Sequence, residues 1–333
     1  MCYIGVKQFD ESVWQHPVHM VVPYSKRPGR LKWFLDQFDR LRAANVQVHL
    51  ILAVCKEAQQ DIAASNDLVE SIKFQKDVQI SLVPGDRTGF FSRSISIREG
   101  SAAVPPDSIM FVTDIDMYIF PPMFDSCRYN SIQGSQVYFP VFYNLYARSS
   151  RIDKDAGYWR DSSYGMSCMY KSDFDAIGAY ENAENMFVGW GGEDVALSEA
   201  FLKDSRYEVF RAVEPSLRHK WHIKHCEQFT PSYHDCISVS FQQLGTLKIV
   251  GRYLLEKKID AQALYADRTD EDNVNPAGFD EGVSQPDSSR SMLENEKLAR
   301  RKDFLMRNEE LREEQLWRAQ AARKRERKER PER

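Results

Sequence analysis

Two hydrophobic periods alternate along the first part of this chain. Val18-His19-Met20-Val21-Val22-Pro23 is an apolar run that ends in the loop Tyr24 to Arg30, the pattern of a buried strand. Leu31, Phe34, Leu35, Phe38 and Leu41 then recur at helical spacing. The alternation continues with a strand at Val46–Val54, a helix within Asp61–Phe74 and a strand at Asp77–Val83 stopped by Pro84-Gly85. A helix at Ser92–Ala103 ends at Pro105-Pro106, and a fourth strand follows within Ser108–Tyr118. Such alternation predicts right-handed crossovers and a mostly parallel, Rossmann-like sheet flanked by helices. Ligands of such sheets bind beyond the carboxyl ends of the strands.

Further on, the pattern is less regular. It predicts a short helix at Pro121–Cys127, a long aromatic strand at Gln136–Tyr146, and strands at Gly165–Tyr170 and Arg206–Ala212. Val195–Leu202 reads as a helix with apolar residues at 197, 201 and 202. The α/β body is expected at 18–262, after an extension at 1–17. A flexible linker at 263–290, rich in Asp, Asn, Gly, Pro and Ser, leads to a charged tail at 291–333, helical or disordered.

Composition narrows the class. The chain has 333 residues, 42% hydrophobic and 28% charged, which suits a globular body with a charged extension. A net charge of −4 argues against a nucleic-acid partner. No apolar run reaches the ~18–20 residues of a membrane helix, and no signal peptide or membrane anchor is visible. On this ground the expectation is a cytosolic protein, or a chain whose targeting end is not in this sequence. Six cysteines are too few for a disulfide scaffold: two bridges, or six free thiols, both fit the composition, with Cys226 and Cys236 ten apart in a loop-like region.

Three groups carry chemistry. Asp114-Ile115-Asp116 is expected to end the fourth strand, where alternation would turn both carboxylates toward one cation; an ordinary acidic strand end is the plainer reading. His219-Lys220-Trp221-His222, expected in a turn, sets two imidazoles three residues apart. Imidazole plus carboxylate suits Mn²⁺ or Zn²⁺ better than Ca²⁺, although a structural zinc and unliganded histidines are the alternatives. The third is Phe187-Val188-Gly189-Trp190-Gly191-Gly192-Glu193-Asp194, an aromatic face between glycines with two acids opening a helix. A plain acidic helix start is the other reading of it. Phe91, Arg93 and the Tyr24–Arg30 loop add basic and aromatic residues at the same sheet edge, Arg93 opening a helix where phosphate oxygens bind well. There is no P-loop and no dinucleotide fingerprint.

These segments, together with Gly157 to Asp161, Tyr164 to Phe174 and the cysteines at 226 and 236, resemble a known family over residues 18 to 255. The chain looks like a metal-dependent GT-A glycosyltransferase. It specifically resembles the animal chondroitin N-acetylgalactosaminyltransferases and the related β1,4-galactosyltransferases and chondroitin synthases. The resemblance makes the body a catalytic domain and implies an inverting hexosyltransferase. It would move N-acetylgalactosamine from UDP-GalNAc, with Mn²⁺, in β1,4 linkage to a glucuronic-acid-ended glycosaminoglycan or linkage-region oligosaccharide. Another donor sugar, galactose or glucuronic acid, and a catalytically silent accessory subunit of a polymerase are the alternatives. The family also implies a partner glycosyltransferase subunit and the Golgi. By the same resemblance Asp116, Asp114, His222 and His219 serve the metal, with Asp116 coordinating directly. Pro23, Tyr24, Lys26, Phe91, Arg93 and Asp114 line the donor site, while Trp190, Gly191, Gly192 and Tyr164 meet the sugar and acceptor. Asp194 is implied as general base with Glu193 beside it, and Cys127, Cys168, Cys226 and Cys236 as disulfide cysteines.

Overall fold

A computed structural model describes residues 16–25, 27–56, 63–87, 89, 91–147, 156–181, 183, 191–222, 224 and 233–246. The expected extension up to residue 15, the linker and the tail lie outside these residues.

β1 (Val18–Tyr24) is buried along its whole length, so both faces of the sheet must be covered there. α1 (Pro28–Ala43) covers one face, setting Leu31, Phe34, Phe38 and Leu41 against Val18, Met20, Val22 and Tyr24. The chain then forms β2 (Val48–Cys55), α2 (Ala63–Ile72), β3 (Val78–Val83) and α3 (Arg93–Ser101). α3 covers the opposite face, where Ile95 and Ile97 join Val21, Ile51 and Met110. Each such buried side chain contributes about 1.5–3 kcal/mol. A Cβ at Gly100 would lie 3.0 Å from Ala53 Cβ and 3.2 Å from Val21 Cγ1, so glycine lets α3 lie this close to the strands.

β4 (Ile109–Val112), β5 (Met117–Ile119), α4 (Pro122–Asn130), β6 (Gln136–Tyr138), β7 (Val141–Leu145), β8 (Gly157–Trp159) and β9 (Ser167–Tyr170) follow. The last elements are α5 (Lys171–Ala176), α6 (Glu193–Lys203), β10 (Glu208–Phe210), β11 (Val213–His219) and α7 (Tyr233–Gln242). The larger sheet has the order β10-β6-β9-β4-β1-β2-β3. Its pairs are parallel except those made by β9, which runs antiparallel to β4 and β6. The smaller sheet has the order β5-β11-β7-β8.

Four expectations are corrected here. The single strand at 136–146 is two strands in different sheets, parting at Phe139-Pro140, where proline has no N–H to give. β11 and β8 form strands where none was expected, and His219 closes β11 instead of lying in a turn. Asp114 and Asp116 do not alternate along a strand: β4 stops at Val112 and a turn carries the chain into β5. The surroundings of Cys236 are the helix α7, not a loop.

Cys127 of α4 and Cys168 of β9 form a disulfide with Cα atoms 5.4 Å apart, tying that helix to the sheet. Cys236 is disulfide-bonded as well, while Cys226 lies outside the described residues. No helix among the described residues is long and apolar enough to cross a membrane.

Candidate active site

The turn after β4 and the end of β11 meet. β5 pairs antiparallel with β11 so that His219 opposes Met117, and the Lys220 amide donates to the Asp116 carbonyl at 2.7 Å. This pairing brings Asp116 to two imidazoles far away in the chain. His222 Nε2 lies 2.9 Å from Asp116 Oδ2, and His219 Nε2 lies 3.8 Å from Asp116 Oδ1. One ligand atom from each of Asp116, His219 and His222 falls within 4.8 Å of the others.

The protonation states suit a cation. Burial pushes both imidazoles down, His222 to about 4 with Arg27's charge adding to it, and His219 well below its ordinary value. Burial would raise the Asp116 carboxyl, but the attraction and hydrogen bond of His222, followed by His219 and Arg27, hold it well below the ordinary range. Near neutral pH the trio is therefore two neutral imidazoles and a carboxylate. His219 Nδ1 is buried and without a hydrogen-bond partner among the described residues, a lone pair or N–H the protein leaves unused. Two nitrogens and one oxygen fit a borderline divalent ion such as Mn²⁺ or Zn²⁺.

Asp114 stands apart from this trio. Its Oδ1 accepts from Arg93 Nε at 2.8 Å. The same guanidinium donates through Nη2 to the Gly165 carbonyl at 2.5 Å and lies 3.7 Å from Glu193 Oε1. Arg93 is the first residue of α3, behind the N-cap Ser92 whose hydroxyl accepts from the Ile95 amide. Burial opposes its charge, and the carboxylates of Asp114 and Glu193 more than offset that, so it stays cationic. Its Nε and Nη2 groups are thus engaged by protein oxygens, and Arg93 clasps three site segments together.

The acids of α6 complete the site. Gly191 and Gly192 have φ of 99° and 91°, a region glycine alone enters without strain, and Gly192 caps α6. Glu193 follows, half-buried, its carboxyl raised by desolvation although Arg93 opposes this, and its carbonyl accepts from Tyr180 Oη at 3.0 Å. Asp194 is half-buried, and its Oδ1 accepts from the Val195 amide at 2.9 Å. A Cβ at Gly165 would lie 3.9 Å from Asp194 Oδ2 and 4.0 Å from Arg93 Nη2, so Asp194 and the clasp both border this glycine.

The remaining expected residues divide. Tyr164 lies beside the site, its ring 3.9 Å under the Arg211 guanidinium and edge-on to Phe139 at 5.7 Å. Phe91 is half-buried just before α3. Pro23 and Tyr24 are buried in β1, Tyr24 within the hydrophobic core, so the part of Tyr24 that meets the core carries stability. Lys26 and Trp190 lie outside the described residues.

Three cations were not singled out by sequence reasoning, although Arg27 lies in the basic Tyr24–Arg30 loop. Arg27, with a left-handed φ of 68°, aims Nη1 at Asp116 Oδ2 from 3.5 Å. Lys224 is pushed down to about 8 by burial and by Arg160, against the pull of Asp116 and Asp114. Lys224 sits two residues past a named histidine and Arg160 inside a quoted motif, so position pointed to both although residue type did not.

Known proteins bear on this arrangement. The family model "Chondroitin N-acetylgalactosaminyltransferase" matches residues 6–249. Mouse chondroitin sulfate N-acetylgalactosaminyltransferase 2 is 28% identical over 263 residues, 73% of this chain and 47% of that protein. Human chondroitin sulfate synthase 3 is 29% identical over 73% of this chain and 29% of its own length. Mouse N-acetyl-beta-glucosaminyl-glycoprotein 4-beta-N-acetylgalactosaminyltransferase 1 is 37% identical over 63% of this chain and 19% of its own length. The chain thus spans about half the length of the first of these relatives, and less of the others. Among solved structures, the catalytic domain of Drosophila β1,4-galactosyltransferase 7 aligns over 64% of this chain and 77% of its own, at 15% identity and TM-score 0.38. S. aureus TarS 1-349 aligns over 68% and 65%, at 10% identity and TM-score 0.45. With a family match from residue 6 to 249, which spans the α/β body, the chain belongs to the chondroitin N-acetylgalactosaminyltransferase family.

Proposed function

We propose that this protein is a metal-dependent, inverting hexosyltransferase that moves N-acetylgalactosamine from UDP-GalNAc to the 4-hydroxyl of a glucuronic-acid-ended glycan in chondroitin biosynthesis. One observation carries the reading. Asp114, two residues before Asp116 of the trio Asp116, His219 and His222, accepts from Arg93, whose guanidinium also holds the Gly165 carbonyl and faces Glu193, the neighbour of Asp194. We read these as a donor-side half and an acid half of one site.

Asp116, His219 and His222 would hold the cation, which supplies charge neutralisation for a leaving diphosphate. Arg27, Lys224 and Arg160 supply positive charge on the same side. Asp194 takes the proton of the acceptor hydroxyl as the new bond forms; its residue is half-buried, at the start of α6. Glu193 is held by Arg93, which leaves it a supporting rather than a proton-accepting role. Gly191 and Gly192 supply the left-handed turn that opens α6, and Tyr164 offers a ring fixed by Arg211 to the sugar. A UDP-sugar donor, a partner glycosyltransferase subunit and residence in the Golgi follow from family membership and belong to this proposal.

The 37% identical relative named for transfer to N-acetylglucosamine supports a second reading, in which the acceptor ends in that sugar. Both are tested by incubating the protein with a panel of UDP-sugars, with and without Mn²⁺, against oligosaccharides ending in glucuronate or in N-acetylglucosamine. Transfer from UDP-GalNAc to the glucuronate acceptor alone supports the first reading. Transfer only to the N-acetylglucosamine acceptor replaces it with the second, and none with any donor overturns both.

A further inference from the structure

The ribbon β5–β11 carries a second feature on its outer face. Met117 and Ile119 point into the core, which turns the intervening Tyr118 outward, opposite Arg218. Trp33 of α1 meets Tyr118 edge-on with centroids 4.8 Å apart. Lys220 Nζ stands 4.5 Å above the Trp33 ring, and the Arg30 guanidinium lies 5.7 Å from it. Arg218 lies 4.8 Å over Phe120, which is 38% exposed. Three cations and three rings thus share one strip, most of them half-buried.

The strip is continuous with the site. Arg218 and Lys220 flank the candidate ligand His219, the Lys220 amide holds the Asp116 carbonyl, and Gln37 Nε2 of α1 donates to the Met117 carbonyl at 3.1 Å. Its cations are held against rings, so less side-chain freedom is lost when an anion arrives. Guanidinium forks match carboxylates and sulfates, and exposed ring faces suit the C–H faces of sugars.

We infer that this strip binds an anionic glycan, its cations taking carboxylates or sulfates along the chain while Phe120 and Trp33 contact the sugar rings. The kind of glycan rests on the proposed transferase reading, but the binding itself needs neither donor nor metal. A polymer is favoured over an anionic membrane surface because the rings lie partly covered by one another and by cations instead of protruding.

The test uses the full chain and labelled chondroitin decasaccharide, without UDP-sugar or metal, across a salt series. The double variant Arg218→Gln/Lys220→Gln should bind about four- to tenfold more weakly, each lost surface ion pair weakening binding about two- to threefold. It should also show a shallower salt dependence. In transfer assays KM for long acceptors should rise, with kcat and the KM for a disaccharide unchanged. Arg218→Lys, which keeps the charge, should recover most of the binding, and an unchanged melting temperature separates lost contacts from lost folding. Binding of the decasaccharide unaffected by the double variant, or equal binding of carboxyl-reduced polymer, overturns the inference. Strip-dependent binding to phosphatidylserine vesicles but not to the glycan assigns the surface to a membrane and also overturns it. Strip-dependent glycan binding in a protein that transfers no sugar would uphold the inference and sink the transferase reading alone.

Discussion

Replacing Arg93 by methionine isolates the clasp. Methionine keeps much of the stem's packing and removes the charge that faces Asp114 and Glu193. The side chains of Arg93 and Glu193 are 16% and 13% exposed, that of Asp114 32%. The variant would leave two mostly buried carboxylates and the Gly165 carbonyl without this donor. Removing one partner of such a pair costs about 3–5 kcal/mol. That is a large fraction of the ~5–15 kcal/mol that holds a domain together. Urea unfolding followed by fluorescence should show a fall of that size with an unchanged slope. The loss should depend on pH, with a sign fixed by Glu193. Its folded carboxyl already lies above the ordinary 4.5, so the stability linked to its protonation is complete below that value and is lost as pH rises through the folded value. Without Arg93 the folded value moves higher still, so the variant's deficit is full near pH 7 and shrinks toward pH 4.5. A variant within about 0.5 kcal/mol of the parent at pH 7, or a deficit that does not change with pH, would refute the clasp.

Three further predictions follow from the same geometry. Asp194→Asn should lower kcat by about 10²–10⁴-fold in a transfer assay while calorimetry still detects UDP, and full turnover would remove Asp194 as base. Asp116→Ala should abolish the Mn²⁺-dependent part of UDP binding in calorimetry, whereas unchanged binding would move the metal elsewhere. His19, buried in β1 beside His49, is lowered from 6.5 to about 4 by burial and then by the neighbouring imidazole. A histidine with a depressed folded value contributes stability above 6.5 that is lost as pH falls toward 4, worth at most about 3 kcal/mol at 1.36 per unit. His19→Leu should therefore flatten acid destabilisation in that window, and an unaltered pH profile would contradict this.

What the sequence revealed divides by the distance over which each feature is encoded. β1 and α1 were legible because a continuous apolar run and a 3–4-residue spacing are local consequences of burial on two faces and on one. β11 was not. It carries Glu214, Pro215 and Arg218, and its buried Glu214 is tolerated only because Tyr138 Oη and the Ser216 amide and hydroxyl donate to it. The register shift between Glu214 and Arg218, around Pro215, further hides the strand pattern. In the site, residue types at Asp116, His219 and His222 were readable, and so was Arg93 at a helix start. The division of labour between Asp114 and Asp116 was not, because it depends on a turn that sends one carboxylate to Arg93 and the other to the imidazoles.

The central claim is that the metal trio and the Glu193–Asp194 pair form one inverting site. Proton NMR of the product from UDP-GalNAc, Mn²⁺ and a glucuronate-ended oligosaccharide tests it most directly. The account predicts a β-linked N-acetylgalactosamine at the 4-position, formed only with metal. An α-linked product, or transfer undiminished by chelator, would contradict it.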